Sequence, residues 1–392
     1  MASSPGGTAE KAGALMSEHL RVVRLSEQDF ANMARSWNEL LSHSDADPLF
    51  MSWSWLYSWW EVWGNALGLE LALFGVYENE ARLVGLAPFY VHEFRLPIGL
   101  RVRRLQFLGN AWRIQGTVRT EYSGLIIRRG LEASVTQSLL LKLRSLDWHE
   151  MVVCDQNLPE LLRWQDAFDR VGQQVTTVPR TVDSGVRVPV SGDFERWLSG
   201  LGRNTRLKAY NRRRYLAEKG NLRFREIGLC EAPAFLERLN EFHCNRWGKP
   251  CFDEGAVAFH LKLMSRLDDG QLALTALEFE GETVSVLYDI RAGQSRYNLQ
   301  AGFLEEFDRK VALGTLHLGY AIEESFRNDG ILYYDLLAGY GKKSFYKSRF
   351  QGETVHFLTT QFARDPLMRR IYRLQSLFPG WLRQGINRWV RL

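Results

Sequence analysis

Two places in the chain carry residues that could do chemistry. The first is residues 309–315, where Arg309 and Lys310 precede Leu313, Gly314 and Thr315, and Gly314 opens an amphipathic helix. The first amides of a helix have no internal acceptor, and the dipole is positive there, so a phosphate can rest on them. Gly314 lets the backbone come close, while Lys310 and Thr315 add a charge and a hydroxyl; a merely structural glycine fits the same spacing. The second place is Asp335, the one carboxylate inside the apolar run 331–337. It reads as a general base or as an anchor for the turn at Gly339, and Asp289 is a weaker candidate base. No Ser-His-Asp or Cys-His pattern for a covalent nucleophile is present. Cys154, Cys230, Cys244 and Cys251 are scattered, and with His243 and His260 their spacing fits no zinc pattern, so free thiols and no metal are expected.

The elements that must position these residues follow from alternation and turns. Residues 271–279, 283–290 and 296–302 read as strands joined at Glu280-Gly281 and Ala292-Gly293. A helix from Gly314 stops near Asn328-Asp329-Gly330, then come a buried parallel-type strand 331–337, a turn, a short helix 342–350 and a last strand 354–362. The hairpin recurs: Glu70-Leu71-Ala72-Leu73 with a Glu78-Asn79-Glu80 turn parallels Gln271-Leu272-Ala273-Leu274 with a Glu280-Gly281-Glu282 turn. The first copy continues through strands 103–108 and 121–127, a helix 131–146 and a strand 151–154, with no counterpart to Gly314 and its basic loop. That copy is expected to serve as scaffold or substrate wall. Ahead of it, 26–41 reads as a helix capped by Ser26, and 50–63 as a helix whose tryptophans form core or a ligand platform. Pro179, Gly185, Pro189 and Gly192 interrupt the pattern and mark a junction. The expected division is a disordered 1–17, a degenerate first copy 18–180, a second copy 181–364 and a basic amphipathic tail 365–392.

Three antiparallel strands, a phosphate loop, helix, strand, helix and final strand resemble the GNAT acetyltransferase fold. The second half is most similar to the BioF2-like acetyltransferase domain of the CelD/BcsL cellulose-biosynthesis family. The matching pieces are His243-x-x-Arg246-Trp247, the helix start Ala312-Leu313-Gly314-Thr315-Leu316, and Tyr334-Asp335-Leu336-Leu337-Ala338-Gly339 with Tyr346-Lys347. Tandem GNAT-like halves also characterise the Fem-type transferases. The resemblance implies an α/β fold of mixed sheets in two tandem copies, the second holding an acyl-CoA such as acetyl-CoA. It places the coenzyme's diphosphate near Arg309, Lys310 and the 313–315 amides, its pantetheine along the strand ending at Ala301, and the acceptor near His243, Arg246, Trp247, Tyr297 and Lys347. Tyr346, with Tyr340 in reserve, matches the tyrosine that gives a proton to the departing thiolate.

The implied activity is acyl transfer to an amine or hydroxyl of a sugar or envelope-polysaccharide precursor. A Fem-type transferase drawing on aminoacyl-tRNA and a non-catalytic scaffold are the alternatives. The chain has 392 residues, ordinary apolar and charged fractions, and a net charge of +5, which permits acidic partners without requiring nucleic acid. The most basic segment, 203–219, reads as a helix facing a phosphate-rich partner or as a solvated edge of a cleft; without a reading motif, nucleic acid is not expected. No secretory signal or membrane span is evident, so a cytoplasmic protein is expected. Residues 366–392 alternate arginines with Ile371, Leu374, Trp381 and Trp389, suiting peripheral contact with the membrane's inner face or docking on the protein itself.

Overall fold

A computed structural model of the chain describes residues 20–97, 99–339 and 344–377. It divides into two compact units: Met1–Val182 with Phe357–Leu392, and Asp183–His356.

In the first unit, β1 (Leu20–Leu25) leads into α1 (Glu27–Asn32) and α2 (Ala34–Ser42), which part at Met33 within the predicted single helix. Ser26 and Asp29 form a full capping box at the start of α1. Trp55, Trp59, Trp60 and Trp63 of α3 (Trp53–Trp63) are all buried, so this stripe is core and not a ligand platform. The strands β2 (Glu70–Glu78), β3 (Arg82–Arg95) and β4 (Arg101–Phe107) form the predicted meander, with β5 (Ile126–Ile127) beside β3. The strand expected over 121–127 shrinks to those two residues because Tyr122 is left-handed (φ 51°), which no extended ladder accepts. After α4 (Glu132–Leu143), β6 (Glu150–Gln156) pairs in parallel with β4. Leu105, Phe107, Met151 and Val153 enter the main core of this unit. Strand alternation therefore turns Arg104, Gln106 and Glu150 to the opposite face.

Past α5 (Leu158–Arg170), the stretch expected as a junction forms a strand, β7 (Thr176–Pro189), and the boundary between the two units falls within it, at Val182–Asp183. Gly185 is not a hinge: a Cβ there would lie 2.7 Å from Leu337 O, so the glycine permits close approach of a neighbouring strand.

The second unit continues through α6 (Phe194–Gly200) into one basic helical run, α7 (Arg203–Arg206), a π turn (Leu207–Asn211) and α8 (Arg212–Ala217). Then follow β8 (Leu222–Ile227), α9 (Ala232–Trp247), α10 (Glu254–Met264), β9 (Leu272–Phe279), β10 (Glu282–Ala292) and β11 (Ser295–Phe303). The closing elements are α11 (Leu313–Phe326), β12 (Tyr333–Ala338), a 3₁₀ turn (Ser344–Phe350) and β13 (Glu353–Ala363), then α12 (Pro366–Ser376). Strands β8 to β11 are antiparallel neighbours, β12 joins β11 in parallel, and β7 flanks β12.

Each copy thus closes its sheet with a strand from elsewhere in sequence: β7 follows the first copy yet pairs with β12, and β13 follows the second yet pairs with β6. The π turn has a partner of its own. A Cβ on Gly319 of α11 would stand 2.0 Å from Ala209 O, so only glycine lets the two backbones meet.

Met368 and Tyr372 of α12 are buried with Leu96, Val102 and Ala363 of the first unit. That part of the tail docks on the protein; residues 378–392 lie outside the described residues. Among the described residues no helix is long and apolar enough to cross a membrane.

Candidate active site

The site is built where β11 and β12 part. Their parallel ladder holds only Ser295–Tyr333, Arg296–Tyr334 and Tyr297–Asp335, although β11 runs on to Phe303 and β12 to Ala338. The cause is local. Asp335 Oδ1 accepts the Leu337 N–H at 2.8 Å, Leu337 is left-handed at φ 58°, and the pairing with β7 slips between Asp335 and Ala338. Lys347 then fixes the turned end, its Nζ donating to the carbonyls of Leu336, Leu337 and Ala338 at 2.5, 3.3 and 3.0 Å. Asp335 is buried and at least one of its oxygens serves the turn, as the anchoring reading allowed.

On the other side of the gap, Leu299 is an extra residue in β11 opposite the Tyr288–Asp289 step of β10. The Ala301 N–H donates to Gln300 Oε1 at 3.1 Å, and the Ala301 carbonyl lies 3.0 Å from His243 Nε2. A carbonyl only accepts, so Nε2 carries the hydrogen and the imidazole's lone pair is on Nδ1. Burial, with a smaller push from Arg246, holds His243 below its ordinary pKa against the raising effect of the Ala301 bond. At neutral pH it is an uncharged base.

The α11 N-terminus stands beside this strand. Ala312, at φ −103° and ψ 86°, offers no side-chain cap, so the first amides of α11 rely on another acceptor. Leu313 is buried, while Gly314 and Thr315 are half-buried. The glycine has a packing reason the sequence did not reveal: Phe303 Cε1 lies 2.6 Å from where a Cβ would be. Phe303 in turn carries Arg246, whose Cζ is 4.8 Å from its centroid and 4.8 Å from that of Trp247, and Arg246 Nε pairs with Glu305 Oε2 at 3.0 Å. The end of α9 and the start of α11 are therefore clasped around one ring.

The basic loop is organised by Asp308, which accepts from Lys219 Nζ at 2.8 Å, Tyr215 Oη at 3.1 Å and Lys310 N at 2.8 Å. The Lys219 and Lys310 hydrogen bonds foremost hold its carboxyl down at about 2. Lys219 and Lys310 both lie over Tyr215, at 4.6 and 5.6 Å, and Arg309 is exposed. Lys219 and Tyr215 were missed as site residues; their place at the end of the basic helix was the available signal.

The structure thus joins His243 to Ala301, Arg246 to Gly314 through Phe303 with Trp247 against the same guanidinium, and Lys347 to the turn beyond Asp335. Tyr297 is buried on β11 opposite Asp335. Tyr340 and the Tyr346 side chain lie outside the described residues. Asp289 is fully buried and bound by Arg296 Nε at 2.6 Å, Asn298 Nδ2 at 2.8 Å and Tyr334 Oη at 3.0 Å, which makes it a strut of the core. His317, on the buried face of α11, bridges Thr275 and Ser285 at 3.0 and 2.9 Å, and burial pushes it down to about 3. Among the described residues, no group of His, Cys, Asp and Glu is arranged to hold a metal.

A three-stranded antiparallel meander, a helix with an open N-terminus and a parallel strand that parts from the third define a GNAT-like α/β fold, and the meander–helix–parallel-strand order occurs in both units. Residues 203–348 match the family model described as an acetyltransferase (GNAT) domain. The crystal structure of FemX is similar over 86% of this chain and 96% of that one, at 11% identity and a TM-score of 0.56. A conserved protein of unknown function from Bacteroides thetaiotaomicron is similar over 88% of this chain and 100% of that one, at 11% identity and a TM-score of 0.50. No curated protein matches the chain in sequence.

Proposed function

We propose that the protein transfers an acyl group from an acyl-CoA such as acetyl-CoA to an amine or hydroxyl on a sugar or envelope-polysaccharide precursor. The observation that carries this reading is the three-pair ladder between β11 and β12, which opens a gap beside an uncapped helix start. The amides of Leu313, Gly314 and Thr315 hold the coenzyme's diphosphate, with Arg309 and Lys310 on the loop before them. Pantetheine lies along β11 and takes the Ala301 peptide group from Gln300 and His243. The thioester carbonyl meets strand amides that stabilise its developing negative charge.

Released from Ala301, His243 accepts the proton of the attacking amine, and Tyr346 returns one to the coenzyme thiolate. Arg246, Trp247 and Tyr297 line the acceptor side, and Asp335 and Lys347 hold β12 away from β11. Contact of residues 366–392 with an anionic membrane surface would bring the enzyme to a lipid-linked acceptor.

The test is release of coenzyme thiol with acetyl-CoA and longer acyl-CoAs in the presence of amino sugars, alongside thermal shift. Turnover with an acid limb below pH 6.5 that His243→Asn removes is expected. If no acyl-CoA shifts the melting temperature or yields thiol, the reading is wrong. Ribonuclease-sensitive transfer from aminoacyl-tRNA in its place would establish the Fem-type chemistry.

A further inference from the structure

Three guanidinium groups in the first unit converge on one indole. The Cζ atoms of Arg113, Arg104 and Arg180 lie 4.4, 5.0 and 5.8 Å from the Trp112 ring centroid. Arg104 is buried on the sheet face opposite the main core, Arg180 is half-buried and Arg113 is exposed, so the cluster reaches solvent. Gln106, from the same face, donates Nε2 to the Trp112 carbonyl at 3.4 Å.

The carboxylate among them is already taken. Glu150 Oε1 accepts from Arg104 Nε at 2.6 Å, and its Oε2 from Tyr372 Oη at 2.5 Å. Arg180 donates Nε to the neutral Gln361 Oε1 at 2.6 Å, and its Nη2 is buried with no hydrogen-bond partner among the described residues. Arg113 makes no ion pair with a described residue. Partial desolvation of its guanidinium against the ring first, then the charges of Arg180 and Arg104, drive Arg113 down to about 10 although the side chain as a whole is exposed. Among the described residues, three cations against the Glu150 carboxylate leave an excess of two positive charges around a rigid ring.

We propose that the arginine cluster about Trp112 is a binding site for a phosphate dianion, presented as a phosphomonoester on a small molecule. A phosphomonoester carries about −1.5 to −2 at neutral pH, which matches the excess; a carboxylate would leave one cation unanswered. Planar guanidinium forks suit phosphate oxygens, and Arg180 Nη2 and the whole Arg113 fork have donors to give. The site is separate from the coenzyme reading, since every residue in it belongs to the first unit.

Calorimetric titration of the full chain with inorganic phosphate, in phosphate-free buffer at pH 7.5, tests it. A sugar phosphate and a nucleoside monophosphate serve as parallel arms that separate the possible carriers. Saturable binding is expected in at least the inorganic arm, weakened tenfold or more by Arg113→Gln and by Arg180→Gln. Arg35→Gln, an exposed arginine outside the cluster, and Thr315→Glu at the α11 start are expected to leave it unchanged. Because Arg113 is exposed, its variant keeps the fold, which a melting curve verifies. No saturable binding in wild type, unchanged affinity in Arg113→Gln, loss in Thr315→Glu, or acetate binding as tightly as phosphate would each overturn the proposal.

Discussion

Replacing Thr315 by glutamate sets helix stability against coenzyme binding. Thr315 is the third residue of α11, half-buried, with Ala312 giving the helix no side-chain cap. A carboxylate in this first turn complements the helix dipole and stabilises by about 0.3–1 kcal/mol. That raises the melting temperature of a unit this size by about 1–3 °C. In the proposed complex the same carboxylate would face the coenzyme's diphosphate. Two negative charges about 5 Å away, in a near-aqueous dielectric, cost about 2 kcal/mol, a roughly 30-fold loss of affinity. Salt near 0.15 M reduces this only in part, because the Debye length of about 8 Å exceeds the separation. Thr315→Gln, of equal size and no charge, is the control. The assays are coenzyme A affinity by calorimetry and KM for acyl-CoA by thiol release, each paired with a melting curve. A glutamate variant that melts higher than wild type yet binds coenzyme A equally well would refute the placement of the diphosphate at α11.

Other perturbations test the frame around the gap. Arg296→Met strands the fully buried Asp289 with only Asn298 and Tyr334 as partners, and about 3–5 kcal/mol of unfolding free energy should disappear in urea titration; under 1 kcal/mol would mean the pair is not the strut described. Lys347→Met removes one cation from three carbonyls, so faster hydrogen exchange at the end of β12 is expected, and unchanged exchange there would refute its role in holding the turn. His260 and His317 are both held at about 3 by burial, against about 6.5 in the unfolded chain. Below pH 6.5 the unfolded chain therefore binds protons that the folded one refuses, and stability falls as pH drops toward 3. Each histidine contributes a slope of about 1.4 kcal/mol per pH unit, so His317→Gln should flatten the wild-type dependence between pH 6 and 4.5 by that amount; an unchanged slope contradicts its neutral burial.

Local physics made much of the second unit legible in advance. The turn at Glu280-Gly281 needs two left-handed residues, with φ 54° and 84°, and its repetition at Asn79 and Glu80, φ 50° and 64°, exposed the doubled hairpin. Ser26 begins its helix through contacts within a few residues, as capping must. The basic loop before α11 was legible for the same reason: charge and helix start are adjacent in sequence.

What depended on distant partners stayed hidden. Gly314 suggested close approach of a ligand, yet Phe303, eleven positions earlier in sequence, fills the space its Cβ would need. Gly185 and Pro189 marked the junction where the two units divide, but not that a strand runs through it, because its partner β12 lies more than a hundred residues on. That Asp335 accepts the Leu337 N–H depended on Leu337 adopting a left-handed conformation, which its residue type disfavours and only the surrounding packing imposes. Sequence determined the hairpins and the helices that begin or end on capping and glycine signals, because those choices are settled by neighbours a few residues away. Tertiary structure alone decided that two strands change places between the copies and that β11 and β12 part, because hydrogen bonds across a sheet and the volume around a glycine are set by chain brought in from far off.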